Sequence, residues 1–342
     1  MRRRAMFTVL IVTGVVAALG PVAAAETVGT PRASGPLTAT TTFAAQGYAT
    51  NAGAGRMTAA ETMAYWTPER IAAATPARAP VRTSAAGPAI RATKQAEPML
   101  TEPKPPSAEA LAIAAGIQGS GKNVMAAATI TAGRVYYIDP VDRKEHFCSG
   151  ATVNSVKRRL VVTAGHCVVN GFWMEGFIFA PGYDNGAPYG FWPALGLAAR
   201  TDWVYSALPA ADVGVAIMAA NTSGQLIVDV VGGNGLAWNW PAMSRVDVFS
   251  YPNAQQTQLA CAGPNISGVN PGTIGMTPCP NARAKGASGG PMVIYYGSLG
   301  PGAGYVNSVI ADYFTPLPDE IFGPYFEDVN AGLFYYAESV SP

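Results

Sequence analysis

The chain has 342 residues, of which 22 are basic and 21 acidic, and its formal net charge is +1 at pH 7. Charged residues make up only 13% of the sequence, so the composition indicates neither a nucleic-acid-binding protein nor one attached electrostatically to a membrane. The length allows about two domains of ordinary size. The 38 glycines and 28 prolines favour a turn-rich β protein.

The first 25 residues have the three parts of a secretory signal peptide. Arginines at positions 2–4 precede an apolar stretch over 5–19, and three alanines occupy positions 23–25. We predict cleavage after position 25 and a secreted, extracellular protein with no stable membrane association after that cleavage. A retained anchor is the weaker alternative, because spanning a bilayer takes about 20 apolar residues.

Residues 26–123 are rich in Ala, Thr and Pro and contain no cysteine, which is typical of a largely irregular propeptide or linker. Two short helices are expected within it. Thr58 and Glu61 form a capping-box pattern that begins the first helix, and Thr67-Pro68 provides an N-cap and a first-turn proline for the second. Whether this pair binds the following domain stays open. Residues 97–106 indicate an extended tether.

The predicted domain at 124–342 consists of short β-prone runs separated by turns. The runs assigned to a first barrel are 134–138, 147–154, 160–163, 177–179 and 213–218. Those assigned to a second are 245–251, 258–261, 291–296 and 305–314. A final helix over 325–336 is expected to pack on the outside.

Two short peptides carry the candidate chemistry. Positions 163–167 read Thr-Ala-Gly-His-Cys, and positions 286–291 set Ser288 in a glycine-rich turn where backbone amides can approach a reacting carbonyl. A serine nucleophile needs a base within hydrogen-bond reach and a third group that orients the base. His166 is the candidate base. Asp212 is the acid most enclosed by apolar sequence and is the candidate for the third group.

The order His166, Asp212, Ser288, together with the segment at 147–153, gives the chain a family resemblance. From about residue 134 to the C-terminus it resembles the trypsin-like, chymotrypsin-fold serine peptidases. It is most similar to the secreted bacterial branch that includes the glutamyl endopeptidases. Residues 65–70 also resemble a recurring element in the propeptides of such enzymes.

The resemblance implies an all-β fold of two six-stranded antiparallel barrels with a C-terminal helix. It also implies a serine endopeptidase that acts on a polypeptide substrate as a monomer and without a cofactor or metal. The backbone N–H groups of Gly286 and Ser288 would form the oxyanion hole. Asn307 and Ser308 would line the substrate pocket. Glutamyl-specific relatives have a histidine where Asn307 falls, so the preferred cleavage residue is left unassigned.

The four cysteines are expected to form structural disulfides in an exported protein, and four cysteines allow three pairings. The family resemblance implies Cys148–Cys167, which leaves Cys261–Cys279. A zinc site is the alternative, but the spacings typical of zinc ligands are absent. The second histidine, His146, follows charged residues and is expected in a solvent-exposed loop.

Ala287 departs from the animal members of the family, which carry an aspartate there that pairs with the new N-terminus after zymogen cleavage. That ion pair cannot form here. Whether the propeptide is a partner that inhibits the enzyme is open. Two alternative functions also remain: a catalytically silent protease-like binding module, and an esterase that uses the same triad.

Overall fold

The computed structural model of the chain describes residues 47–51, 57–77, 81–82, 96–119, 129–241, 245–253, 255–268, 270–282, 284–298, 302–311, 313–314 and 319–342. All of them belong to the compact unit Ala33–Pro342. The predicted signal peptide at 1–25 lies outside the described residues.

The two helices predicted before residue 123 are confirmed. Helix α1 begins after Thr58, whose Oγ1 accepts from the Glu61 N–H, while the Glu61 carboxylate accepts from the Thr58 N–H. Helix α2 begins with Pro68 after the N-cap Thr67. The elements of this region are β1 (Tyr48–Thr50), α1 (Ala59–Tyr65), α2 (Pro68–Ala73), β2 (Thr75–Pro76), β3 (Val81–Arg82), β4 (Met99–Leu100) and α3 (Ala108–Gly119).

Four short strands and α3 in this region go beyond the expectation of a largely irregular segment. Strand β4 lies within the predicted tether at 97–106. These strands are two or three residues long, which is too short for an alternating pattern to reveal them. Strands β1, β2 and β4 add to longer strands that offer unpaired backbone groups, namely Trp192–Arg200, Lys144–Val153 and Gly235–Trp238. Strand β3 instead pairs with the equally short strand Tyr313–Phe314.

The first barrel consists of six antiparallel strands. Its region contains β5 (Ala132–Asp139), β6 (Lys144–Val153), β7 (Leu160–Thr163), β8 (Val169–Asn170), β9 (Phe172–Trp173), β10 (Glu175–Pro181), β11 (Trp192–Arg200), α4 (Thr201–Ser206) and β12 (Gly214–Met218). The order β11-β10-β5-β6-β7-β12 is closed by pairing of β11 with β12. Strand β1 adds to β11, and β2 adds to β6. Fully buried side chains such as Val135, Phe179 and Trp192 fill the interior.

The second half forms another sheet. Its elements are α5 (Ile227–Val231), β13 (Gly235–Trp238), β14 (Arg245–Ser250), β15 (Leu259–Ser267), β16 (Thr273–Met276), β17 (Pro291–Ile294), β18 (Tyr305–Val309), β19 (Tyr313–Phe314), β20 (Ile321–Pro324) and α6 (Asp328–Val340). The pairing order is β20-β16-β15-β14-β17-β18-β13-β4. Strand β13 runs parallel to β18, and β4 from the N-terminal region pairs with β13. The predicted all-β, chymotrypsin-like fold is confirmed as a mostly-β chain with a closed six-stranded antiparallel barrel and, where a second six-stranded barrel is expected, a second sheet of eight strands.

The C-terminal helix is confirmed but begins three residues later than predicted. Tyr325 is not helical, because its N–H donates to the Gly272 carbonyl and its hydroxyl to the Trp240 carbonyl. Helix α6 buries Leu333, Phe334 and Ala337 against the first barrel. Among the described residues, no helix is both long and apolar enough to cross a membrane.

Candidate active site

A disulfide fixes the turn that carries His166. Strand β7 ends at Thr163, and a 3-10 turn over Gly165–Cys167 follows it. Cys167 is bonded to Cys148 on β6, with 6.4 Å between the two Cα atoms. The bridge attaches the turn to the barrel, so the backbone beside His166 has little freedom to move.

His166 and Asp212 form a buried pair. His166 Nδ1 lies 2.9 Å from Asp212 Oδ2 and 3.1 Å from Oδ1, and the His166 backbone N–H donates to Oδ1 at 2.9 Å. The two side chains are 6% and 1% exposed. Burying a carboxylate without partners is costly, and these two N–H groups compensate for that cost. An imidazole that donates from Nδ1 leaves Nε2 able to accept a proton.

Trp203 on α4 covers this pair. Its Nε1 donates to the Val169 carbonyl at 3.0 Å, and its ring centroid lies 6.2 Å from that of His166. A Cβ atom at Gly165 would lie 2.9 Å from the indole and 3.0 Å from Asp212 Oδ1. Only glycine therefore allows the indole and the carboxylate to pack this closely against the turn.

The turn that carries Ser288 packs directly on β6 and β7. Gly286 has φ +89° and Gly289 has φ +83°, both in the left-handed region that favours glycine. The Ser288 carbonyl accepts from the Ser149 N–H at 2.7 Å. A Cβ atom at Gly289 would lie 2.1 Å from Thr163 Oγ1 and 2.2 Å from the Ser149 carbonyl oxygen.

Ser149 is a positioning residue to which the sequence assigns no role. Its Oγ donates to the Gly286 carbonyl at 2.9 Å and accepts from the Tyr251 N–H at 2.9 Å. It is buried, at 1% exposure. The Ser149 hydroxyl thereby fixes the peptide group that follows Gly286. Its position beside Cys148 in the family-like segment is the only sequence signal that could have indicated it.

His166 and Ser288 come together through these contacts. Ser149 binds the Ser288 carbonyl and adjoins Cys148, whose disulfide partner adjoins His166. His166 Nε2 and Ser288 Oγ are both buried, and neither has a hydrogen-bond partner in the described part of the chain. Buried polar atoms without partners are uncommon in folded proteins. Here they are the two atoms that a base and its nucleophile would use.

The predicted pocket residues both lie on β18 and are fully buried. Ser308 Oγ donates to the Pro324 carbonyl at 2.7 Å. Asn307 Oδ1 accepts from Asn265 Nδ2 at 3.1 Å. The remaining amide atoms, Asn307 Nδ2 and Asn265 Oδ1, find no partner among the described residues. Substrate contact by Asn307 and Ser308 stays a prediction.

The four cysteines form the two disulfides that the resemblance implies, Cys148–Cys167 and Cys261–Cys279. Metal binding by cysteine requires a thiolate, so sulfurs in a disulfide are not zinc ligands. The grouping of Cys148, His166 and Cys167 is therefore not a zinc site.

The expectation of an exposed loop for His146 is wrong. His146 lies on β6 opposite Thr75 of β2, and its side chain is only 18% exposed. Its Nδ1 lies 3.0 Å from Thr75 Oγ1 and its Nε2 lies 3.0 Å from Asp142 Oδ2. Asp139 and Asp142 are close enough to share an ion with it, but both imidazole nitrogens are already bonded.

Solved protease structures share this fold and part of this sequence. The protease Anisep from Arthrobacter nicotinovorans is 30% identical, with a TM-score of 0.55, over 62% of this chain and 96% of its own. The chain belongs to the trypsin-like, chymotrypsin-fold serine proteases. In this serine protease, the first barrel provides His166 and Asp212, and the turn before β17 provides Ser288.

Two further solved structures share the fold. A thermostable serine protease from an extremophilic microorganism is 28% identical, with a TM-score of 0.56, over 62% of this chain and 98% of its own. A Glu endopeptidase in complex with MPD shares the fold at 14% identity and a TM-score of 0.50, over 64% of this chain and 95% of its own. No protein-family model and no curated protein sequence matches the chain.

Proposed function

We propose that this serine protease is a secreted endopeptidase that hydrolyses peptide bonds through an acyl-enzyme intermediate. Ser288 is the nucleophile, His166 the general base and Asp212 the group that orients the base. The observation that supports these roles is the buried His166–Asp212 pair, together with the absence of a hydrogen-bond partner for His166 Nε2 and for Ser288 Oγ among the described residues.

The chemistry proceeds in two halves. Ser288 Oγ attacks the peptide carbonyl carbon as its proton passes to His166 Nε2, and a C–O bond forms. His166 then gives that proton to the leaving nitrogen, the C–N bond breaks and the amine departs. Water attacks the resulting ester with the same base, and the acid product leaves with the Ser288 hydroxyl restored. Asp212 stabilises the imidazolium in both halves.

The developing negative charge would be bound by the backbone N–H groups of Gly286 and Ser288. Each such donor contributes about 3 kcal/mol to the transition state in comparable sites. The Ser149 hydroxyl supports this arrangement because it fixes the peptide beside Gly286. No cofactor is required by these steps.

Export is supported by the sequence and by the cysteines. The predicted signal peptide at 1–25 would direct secretion. Two disulfides are suited to an oxidising, extracytoplasmic compartment. We propose that residues 26–123 form a propeptide or linker before the protease domain at 124–342, and that the enzyme is a monomer.

The test is covalent labelling with a fluorophosphonate probe. Wild-type protein, and Ser288→Ala as the variant without the nucleophile, are compared with Ser223→Ala, in which an exposed serine is removed. We expect labelling of wild type and Ser223→Ala and none of Ser288→Ala. Folded protein that stays unlabelled even after removal of its N-terminal region would favour the silent binding module.

The choice of substrate distinguishes an endopeptidase from an esterase. An endopeptidase cleaves internal amide bonds of an unstructured polypeptide, whereas an esterase turns over small esters alone. Mass spectrometry of the digest also identifies the preferred cleavage residue. We expect internal cleavage that disappears in Ser288→Ala.

A further inference from the structure

The N-terminal part of the chain reaches the proposed oxyanion site. Strand β2 runs parallel to β6, with Pro76 opposite Phe147. The Ala77 N–H donates to the Phe147 carbonyl at 2.9 Å, and the Ala77 carbonyl accepts from the Gly286 N–H at 2.9 Å. One of the two donors proposed for the substrate oxyanion is therefore already bonded to a carbonyl of the same chain.

The contact at Ala77 is closely packed. Ala77 is 7% exposed and belongs to the core cluster of the first barrel. A Cβ atom at Gly286 would lie 3.1 Å from the Pro76 Cβ and 2.6 Å from the Phe147 ring. The Ala77 carbonyl thus occupies a site from which water is largely excluded, and its hydrogen bond is correspondingly strong.

A second short strand follows the Ala77 contact. Strand β3 pairs in parallel with β19, so that Val81 lies opposite Tyr313. Strand β6 belongs to the first barrel, whereas β19 follows β18 of the second sheet. The chain therefore pairs with the first half at β2 and with the second half at β3, and the Ala77 carbonyl joins β2 to the turn that carries Ser288.

Helices α1 and α2 fasten the segment from its N-terminal side. The Trp66 indole is buried and donates to the Gly176 carbonyl at 2.6 Å. The Tyr65 hydroxyl and Arg70 Nη1 both donate to Glu145 Oε1 at 2.7 Å. Glu145 is on β6, the strand that pairs with β2. The clasp, defined as Tyr65, Trp66 and Arg70 with these partners, therefore determines where β2 lies.

We propose that residues 75–77 form an autoinhibitory strand of the uncleaved protein, with the Ala77 carbonyl as the group that takes the Gly286 N–H from the substrate. This inference rests on the proposed function of Ser288 and Gly286. A substrate carbonyl that accepts a hydrogen bond from the Gly286 N–H must displace the Ala77 carbonyl, because one N–H cannot donate a full hydrogen bond to two acceptors. Because residue 287 is alanine, no carboxylate beside Ser288 can pair with a new N-terminus after cleavage. Release of the strand would take the place of that ion pair in activating the enzyme.

The test uses the full chain and two measurements. Amide hydrogen exchange at Gly286, followed by NMR, reports whether the donor is bonded, and it does not depend on activity. The rate of fluorophosphonate labelling at Ser288 reports whether the site is open. Exchange in β5 serves as the check that each variant is folded.

Three variants weaken the strand and one is a matched control. Ala77→Pro removes the N–H that bonds Phe147 and adds a ring at a buried position, while Pro76 before it is already extended. Arg70→Ala and Trp66→Ala loosen the clasp. Arg158→Ala removes another partly exposed arginine from a 2.7 Å ion pair, with Asp229, that has no contact with the strand.

We expect Gly286 exchange and Ser288 labelling to rise together. Loss of a single hydrogen bond or exposed ion pair corresponds to an increase of about 2- to 10-fold, for Ala77→Pro and Arg70→Ala. Loss of the buried indole in Trp66→Ala should give an increase of more than about 10-fold. Arg158→Ala should match wild type in both measurements.

Each contrary result has a distinct meaning. Exchange at Gly286 that is as fast in wild type as in Trp66→Ala overturns the occupancy of the site. Wild-type labelling as fast as that of the variants overturns autoinhibition and leaves the protease function standing. A freed Gly286 amide without labelling of Ser288 overturns both the regulation and the proposed function.

Discussion

Ser149 links three backbone segments through a single hydroxyl and its own peptide. Its Oγ contacts Gly286 and Tyr251, and its N–H contacts the Ser288 carbonyl. The motifs at 163–167 and 286–291 were enough to predict His166 and Ser288 from sequence. They could not reveal Ser149 or Ala77, because those residues act through hydrogen bonds between segments that are distant in the chain.

Replacing Ser149 with alanine should impair turnover more than substrate binding. The change leaves the buried Gly286 carbonyl and Tyr251 N–H without their partner, at about 1–3 kcal/mol each. We expect kcat for peptide hydrolysis to fall at least about 10-fold with KM little changed. Ser298→Ala removes an exposed hydroxyl that bonds the Tyr295 carbonyl, and it should leave both constants unchanged. A rise in KM with kcat unchanged would contradict the positioning role.

Gly289 should tolerate alanine far less well than Gly171. Both have positive φ, +83° and +74°, so both share the strain of placing a side chain in that conformation, about 1 kcal/mol. Only at Gly289 would the Cβ atom also overlap Thr163 Oγ1, at 2.1 Å, whereas it meets nothing within 4 Å at Gly171. We expect urea unfolding to show a large decrease in the free energy of unfolding, or no folded protein at all, for Gly289→Ala. For Gly171→Ala we expect only a small decrease. Equal losses of stability in the two variants would show that backbone strain alone, and not the overlap with Thr163, causes the destabilisation.

At the scale of elements, the strands that sequence patterns predicted are those rich in β-branched and aromatic residues. Strand β7, predicted at 160–163, has the bounds Leu160–Thr163. Strand β11 was missed, since Trp192–Arg200 contains Pro193, Gly196 and five residues of Ala or Leu after Pro193 that favour helix as much as strand. Its strand geometry comes from pairing with both β10 and β12.

The two disulfides allow chain stability to be separated from support of the site. They close loops of nearly equal length, with sequence separations of 19 and 18, so each should stabilise the fold by about 3 kcal/mol in the chain-entropy account. Only Cys148–Cys167 adjoins His166. We expect replacing either pair with alanine to lower stability similarly, measured by urea unfolding.

Activity should distinguish the same two variants. Loss of Cys148–Cys167 frees the turn over Gly165–Cys167, so kcat should fall at least about 10-fold under conditions where the protein remains folded. Loss of Cys261–Cys279 should leave kcat close to wild type. Equal kcat values in the two variants would mean that β7 alone orients His166.

Acid should release the clasp of α1 and α2. Bonds from the Tyr65 hydroxyl and the Arg70 guanidinium hold the pKa of Glu145 below its usual value of 4.5, against the opposing effect of partial burial. Because the folded pKa is lowered, the stabilisation from Glu145 is complete above about pH 4.5 and is lost as pH falls through the folded pKa. We expect amide exchange in α1 and α2, compared at equal intrinsic rate, to lose protection below about pH 4.

The control for the acid effect is Glu145→Gln. This variant should show weaker protection of α1 and α2 at neutral pH and a smaller decrease in acid. Asp142 contributes in the same direction: desolvation raises its pKa, but hydrogen bonds from the Lys144 N–H and from His146 leave it below the usual value. An acid effect that is identical in wild type and Glu145→Gln would assign the release to other carboxylates, namely Asp142 or the helix-capping Glu61 and Glu69, whose pKa values hydrogen bonds to Thr58 and Thr67 also lower.

At the scale of the whole molecule, Asn234 joins the two β units. Its Nδ2 donates to Thr131 Oγ1 and the Thr152 carbonyl at 3.1 and 3.2 Å, and its Oδ1 accepts from the Gly304 N–H at 3.2 Å. It is 1% exposed. The amide thus connects the start of the first barrel to the loop before β18.

Replacing Asn234 with alanine should weaken the joint between the halves. Three buried hydrogen bonds are lost and the Gly304 N–H loses its partner, so we expect a loss of about 3 kcal/mol in urea unfolding. Asn221→Ala is the matched control, because that side chain also makes three hydrogen bonds but lies at the surface. A similar loss in both variants would show that local turn structure, not the joint, accounts for the effect.

The C-terminal helix has a consequence for synthesis of the protein. Leu333 and Phe334 of α6 belong to the same core cluster as Val215 and Ile217 of the first barrel. The residues that complete this core therefore leave the ribosome after all the strands that they cover. A nascent chain that has formed β5 to β12 lacks part of their apolar cover until α6 has been synthesised.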